Sequence, residues 1–143
     1  MKLTRILALA IAFVMLALCA ASCGEPKVTV NVTVKIIADN PDEPILDTPI
    51  TIESTNPTVL EAVREALIVN EIAYNLTEDG SSILDIQDYK DLSATQSGDG
   101  LVYYWMYYLN DVEPTSGKAV SNTIAEGDVI TYVYSSFDPT QLK

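Results

Sequence analysis

Apolar and polar residues alternate from Val28 to Ile36, within a run that ends at Ile37. Val28, Val30, Val32, Val34 and Ile36 fall on one side, with Thr29, Asn31, Thr33 and Lys35 on the other. A period of two is that of a half-buried strand. Asp39-Asn40-Pro41-Asp42 is a turn cluster, and Ile45 to Glu53 returns as a second strand, so the pair predicts a hairpin. The period changes at Thr58. Thr58-Val59-Leu60-Glu61 has the form of a capping box, a hydroxyl at the cap and a carboxylate three residues on. Leu60, Val63, Leu67 and Ile72 follow at helical spacing, with Glu61, Arg64, Glu65 and Glu71 largely opposite, which predicts one amphipathic helix of about 13–15 residues. Tyr74 to Ala94 is harder to read: it holds a turn at Glu78-Asp79-Gly80 and a candidate short strand, Ile83 to Ile86. A turn at Ser97-Gly98-Asp99-Gly100 then leads into an aromatic strand, Leu101 to Leu109. A loop from Asn110 to Ser121 follows, and Val129 to Phe137 is the last strand. Two strands, a helix and further strands predict an α+β domain, one sheet of about 4–5 strands with a helix packed across one face.

The first 22 residues have a different character. Lys2 and Arg5 precede an uncharged apolar run, Ile6 to Ala20, which is too short for a spanning helix of roughly 20 residues but suits a signal peptide. Small residues Ala20-Ala21-Ser22 stand before Cys23. This resembles a bacterial lipobox, whose cysteine takes a diacylglyceryl group before cleavage, although Leu is more usual than Ala20 at its position. Two alternatives stay open: an uncleaved anchor helix, and ordinary cleavage leaving Cys23 a free thiol. Each leaves the domain outside the membrane. The expected organisation is a signal peptide over 1–22, lipidated Cys23 and a short tether over 23–27, a domain over 28–137 and a tail over 138–143. Four extended residues, Gly24 to Lys27, reach about 14 Å, which holds the domain against the bacterial cell membrane.

Loss of Lys2 and Arg5 leaves 6 basic against 20 acidic residues, a net charge of −14. Phosphate backbones and anionic lipid heads repel such a domain, so nucleic-acid partners are set aside. With one cysteine left after cleavage, no internal disulfide can form, and a hydrophobic core must hold the fold. There is no histidine, so Ser-His-Asp and Cys-His catalysis are excluded, and a non-enzymatic role is expected. Asp39, Asn40, Asp42 and Glu43 crowd one turn, and Asp85, Asp88 and Asp91 recur at intervals of three. Hard oxygen ligands suit calcium, but neither run has EF-hand spacing, and the plain reading is a solvated loop with no metal. Tyr103, Tyr104, Trp105, Tyr107 and Tyr108 occupy five of six consecutive positions. In a strand, Tyr103, Trp105, Tyr107 and Leu109 share one face, and Val102, Tyr104, Met106 and Tyr108 the other. One face must meet the helix, and the other then exposes an apolar, aromatic patch of the kind that marks a binding site. Tyr104, Trp105, Met106, Tyr107 and Tyr108 are therefore the binding candidates, with the choice of face open.

From Thr58 on, the order of features resembles a β-grasp domain of unknown function found in bacterial surface proteins and lipoproteins. That domain is similar to the C-terminal domain of the transcobalamin and intrinsic-factor cobalamin carriers. The residues that carry the resemblance are Thr58-Val59-Leu60-Glu61-Ala62, then Gly100 with Trp105 and Asn110, then Gly127-Asp128. Together they span roughly Thr55 to Phe137. Asp111 departs from the pattern, where Gly is usual after the Asn. The resemblance implies a β-grasp-like sheet with its helix, and a ligand face near the Trp strand that closes over cobalamin or another corrinoid. No resident cofactor is implied. The carriers also have a large helical domain that this chain lacks, so half of such a site is the most it encodes. The implied partners are the membrane, through the diacylglyceryl anchor, and a membrane importer that would receive the ligand. The alternative is a surface module that docks another protein and holds no small ligand.

Overall fold

The computed structural model describes residues 25–95, 97–115 and 118–141. The targeting segment and Cys23 lie outside them. In chain order the elements are β1 (Val28–Ile37), β2 (Leu46–Ser54), α1 (Val59–Val69), β3 (Tyr74–Leu76), β4 (Ile83–Ile86), β5 (Tyr89–Lys90), β6 (Val102–Leu109) and β7 (Val129–Phe137). Short 3-10 turns stand between β6 and β7 at Ala119–Ser121 and after β7 at Pro139–Gln141.

The alternation of β1 does what its period requires. Val30, Val32, Val34 and Ile36 are buried, while Thr29, Asn31, Thr33 and Lys35 remain at least partly open. β2 pairs antiparallel with β1, placing Ile52, Ile50 and Leu46 beside Val30, Val32 and Ile36. β7 runs parallel to β1 on its other side, and β6 pairs antiparallel with β7, giving a four-stranded sheet in the order β2-β1-β7-β6. β3, β4 and β5 form a separate antiparallel sheet of three short strands. The fold is thus α+β, with one helix across a mixed four-stranded sheet and a small second sheet beside it.

Helix α1 presents Val59, Ala62, Val63, Ala66 and Leu67 to the core, all fully buried, and Leu60 nearly so. Each fully buried aliphatic side chain contributes about 1.5–3 kcal/mol. These residues join the inward side chains of β1, β2, β6 and β7, with Ile83 and Ile86 of β4, in a single core. At the N-terminus Thr58 Oγ1 accepts from the Glu61 amide at 3.3 Å. The capping box is half formed: among the described residues no bond runs from the Glu61 carboxylate back to Thr58. The segment before the helix is tied instead by the Val59 amide to the Asn122 carbonyl and the Ile124 amide to the Pro57 carbonyl.

The helix has 11 residues, fewer than its apolar spacing suggests, because the chain turns at Glu71. Glu71 takes φ 56°. The Ile72 amide bonds the Leu67 carbonyl and the Glu71 amide the Ile68 carbonyl, which is a Schellman closure. Ile72 accordingly packs on the core as the apolar residue after the cap, not as another helical turn.

Asn110 and Asp111 also take positive φ, 53° and 64°, between Leu109 and Val112, whose amides and carbonyls bond reciprocally. This is the two-residue type I′ geometry that favours Asn-Gly. Replacing Glu71 or Asp111 by Gly removes a Cβ penalty at a left-handed position. Each single substitution is expected to raise stability by about 0.5–1 kcal/mol, read as a rise in Tm. A fall in Tm for either variant would contradict the assigned turn.

Candidate functional site

Register divides the aromatic strand into two groups. Ile36 of β1 lies opposite Tyr132 of β7, and Tyr132 opposite Tyr107 of β6. Val34, Ile130 and Leu109 align in the same way. Tyr103, Trp105, Tyr107 and Leu109 therefore share the inner face with the core. Trp105 is buried at 9 % exposure, and its indole N–H donates to the Tyr89 carbonyl at 3.1 Å. Its ring lies 5.0 Å from that of Tyr134, and Tyr103 stacks on Tyr134 at 5.5 Å. Tyr107 stacks on Tyr132 at 5.4 Å, and its hydroxyl accepts from Asn122 Nδ2 at 2.6 Å. Trp105 and Tyr107 thus belong to an aromatic layer between the two sheets.

Tyr104, Met106 and Tyr108 point the other way. Met106 lies opposite Val133, and Val133 opposite Ile37, while Tyr108, Thr131, Lys35 and Asp47 form the next row across all four strands. Tyr104 meets Phe137 edge-on at 5.7 Å, and the Tyr108 hydroxyl donates to Met106 Sδ at 3.4 Å. None of these side chains joins the core, and the tyrosines and Met106 stay half-buried. The outer face is apolar and aromatic over β6 and β7 and polar over β1 and β2, where Thr29, Asn31, Thr33, Thr51 and Glu53 stand.

The motif residues from the resemblance come together at one end of the sheet. Asn110 Nδ2 donates to Asp128 Oδ1 at 2.8 Å, and Asn110 Oδ1 accepts from the Val129 amide at 2.9 Å. The second Asp128 oxygen accepts from the Ala125 amide at 2.7 Å. Gly127 takes φ 83°, and its amide bonds the Asn31 carbonyl of β1. Asn110, Gly127 and Asp128 therefore clamp the end of β6 to the start of β7. Thr58 and Glu61 sit at the helix start, apart from this clamp.

A notch of about 190 Å³ opens at the free edge of β6, lined by Trp105, Met106, Tyr107, Glu113 and Pro114. Sites that enclose a small organic ligand hold roughly 300–1,000 Å³. The notch can grip part of a ligand but cannot enclose a corrinoid.

Several members of the acidic runs are engaged in turns and local bonds. Asn40 Oδ1 accepts from the Asp42 amide, Asp39 from the Tyr89 hydroxyl, Asp85 from Asn75 Nδ2, and Asp91 from the Ser93 amide. Among the described residues no group of three or more acidic or cysteine side chains is placed to hold a metal ion. One cluster went unforeseen: Lys118 pairs with Asp79, which also accepts from Thr77 and Ser81, beside an open groove of about 490 Å³. Hydrogen bonds from Lys118, Ser81 and Thr77 hold the Asp79 carboxyl well below the usual carboxylate range. Lys118 lies 39 positions from Asp79, and no local pattern links them.

Five tyrosines have phenols pushed above their ordinary value. Tyr89 and Tyr103 donate to Asp39 and Asp99, whose negative charges oppose ionisation, and burial raises Tyr107, Tyr132 and Tyr134. An acid whose folded-state pKa is raised keeps its proton while the unfolded chain loses it. Stability present below pH about 10 is then lost as pH rises through the raised folded-state values. The urea midpoint is expected to be clearly lower at pH 11 than at pH 8, and equal midpoints would contradict the buried phenols. Trp105→Ala should cost about 3–5 kcal/mol, whereas Tyr104→Ala should cost about 1 kcal/mol or less. Similar losses for the two, from denaturant titration, would refute the division into inner and outer faces.

No family model matches the chain, and no curated protein matches it. Among solved structures, the chain is similar to haptocorrin in complex with Cbi, with a TM-score of 0.57 and 16 % identity. That match covers 77 % of this chain and 26 % of the haptocorrin chain, so this chain spans about a quarter of its length. A protein of Ruminococcus gnavus ATCC 29149, provisionally assigned as metal-binding, aligns with 76 % of this chain and 98 % of its own, at 13 % identity and a TM-score of 0.49. The likeness to haptocorrin is one of fold: α+β, with a single helix.

Proposed function

We propose that this chain is a lipid-anchored binding module outside the cytoplasm, whose outer aromatic face takes up a corrinoid and passes it to a membrane importer. The observation that carries the reading is the likeness of fold to haptocorrin, a protein solved in complex with Cbi. The open face of β6 and β7 supports it. Tyr104 and Tyr108 offer rigid aromatic area with polar tips, and Met106 adds a flexible apolar contact between them, which suits a broad ring system edged by amides. The notch beside them is too small to enclose such a ligand, so this module supplies one wall of a site and a second body the other. The lipobox-like run Ala20-Ala21-Ser22-Cys23 supports a membrane-side role. Among the described residues no helix is long and apolar enough to cross a membrane.

One observation favours a second reading. A pleated, open sheet face also suits docking against another surface protein. Calorimetric titration of residues 24–143 with cobinamide and cobalamin separates the two. Saturable heat is expected, weakened about tenfold by Tyr104→Ala or Tyr108→Ala, with Tm nearly unchanged in both variants. No heat at high micromolar corrinoid would remove the carrier likeness as a guide to this module on its own and turn the search to protein partners at the membrane.

A further inference from the structure

β6 is an edge strand, and the pairing around it reveals which of its backbone groups are spent. The Asn110 amide bonds the Val129 carbonyl of β7, so the even-numbered residues of this strand turn their amides and carbonyls toward β7. The odd-numbered residues turn theirs to the free edge. At one end of that edge the Leu92 amide caps the Tyr103 carbonyl at 2.7 Å. At the other, Leu109 bonds Val112 in both directions, at 2.9 and 3.1 Å. Between these covers stand Trp105 and Tyr107. Among the described residues no hydrogen bond reaches their outward N–H and C=O groups. The gap coincides with the notch between Met106 and the Glu113-Pro114 segment.

Two outward residues on one strand present two donors and two acceptors at the spacing of an extended chain, which is the pattern that added strands use. The length of the gap fits a stretch of about three residues. The charge at its rim selects among such stretches. Glu113 lines the notch, Asp111 lies in the turn next to it, and the chain as a whole carries −12. We infer that the uncovered edge of β6 at Trp105 and Tyr107 is a docking site for a short extended peptide segment bearing Lys or Arg on a partner protein. It forms antiparallel or parallel main-chain bonds there, and its cationic side chain reaches Glu113. The site shares Met106 with the outer face assigned to a corrinoid, but it binds through the backbone of Trp105 and Tyr107 rather than through the tyrosine rings, so either can fail without the other.

The test uses the nitrogen-15-labelled full chain titrated with acetyl-Lys-Val-Lys-Val-Lys-amide. Its N-methylated form and the Glu-for-Lys counterpart serve as controls. Saturable shifts are expected at Trp105, Tyr107 and Glu113. Amide hydrogen exchange at Trp105 and Tyr107 should slow about tenfold, with Tyr104 and Met106, already paired to β7, unchanged. Glu113→Lys, a substitution at an exposed position, should weaken the basic peptide by about fivefold. No saturation at millimolar peptide, equal binding of the N-methylated form, equal binding of the Glu peptide, undiminished binding by the Glu113→Lys variant, or shifts confined to Tyr104 and Tyr108 would each overturn the proposal.

Discussion

The parity of β1 is the constraint from which the rest of the molecule follows. Val34 and Ile36 are fully buried, and the parallel ladder to β7 passes their orientation to Ile130 and Tyr132. The antiparallel ladder to β6 passes it on to Leu109 and Tyr107. A slip of one residue anywhere along that chain of pairs would turn every aromatic of β6 over. It would bring Tyr104, Met106 and Tyr108 into the core and put Trp105 in water. The Asn110–Asp128 clamp and the Gly127 turn stand where such a slip would begin. Their hydrogen bonds reach both β7 and, through the Gly127 amide, β1.

The long elements were legible because each repeats a single period many times. β1, β2, α1, β6 and β7 lie within a few residues of where hydrophobic spacing puts them. The end of the helix was not, because Ile72 keeps helical spacing while Glu71 adopts a left-handed conformation that residue type does not advertise. Apart from its Ile83 to Ile86 strand, the small sheet was hidden for a related reason. Its strands have three, four and two residues, with a register shift after Asn75 and a turn at Gln87 with φ 53°, where no Gly marks the bend. Periodicity has no room to appear in so few residues.

The candidate site was legible as a composition and only half legible as a geometry. Five aromatics in six positions announced a strand with two laden faces, and alternation sorted them correctly into two sets. Which set faces inward depends on the ladder to β1, some 70 positions away in sequence, and on Tyr89 and Tyr134 arriving from other strands to enclose Trp105. The notch at the edge of β6 depends on where Leu92 and Val112 happen to stop covering it, which no local pattern encodes.

The inner aromatic layer has an optical consequence. Trp105 is the chain's single tryptophan, and Tyr89, Tyr132 and Tyr134 lie with ring centres 6.4, 6.5 and 5.0 Å from it. Light absorbed by those phenols is handed to one sheltered indole whose N–H is already bonded to a carbonyl. Its emission therefore tracks the closure of the two sheets upon each other. A ligand lying on the opposite side of β6 would reach that indole only through the thickness of the strand.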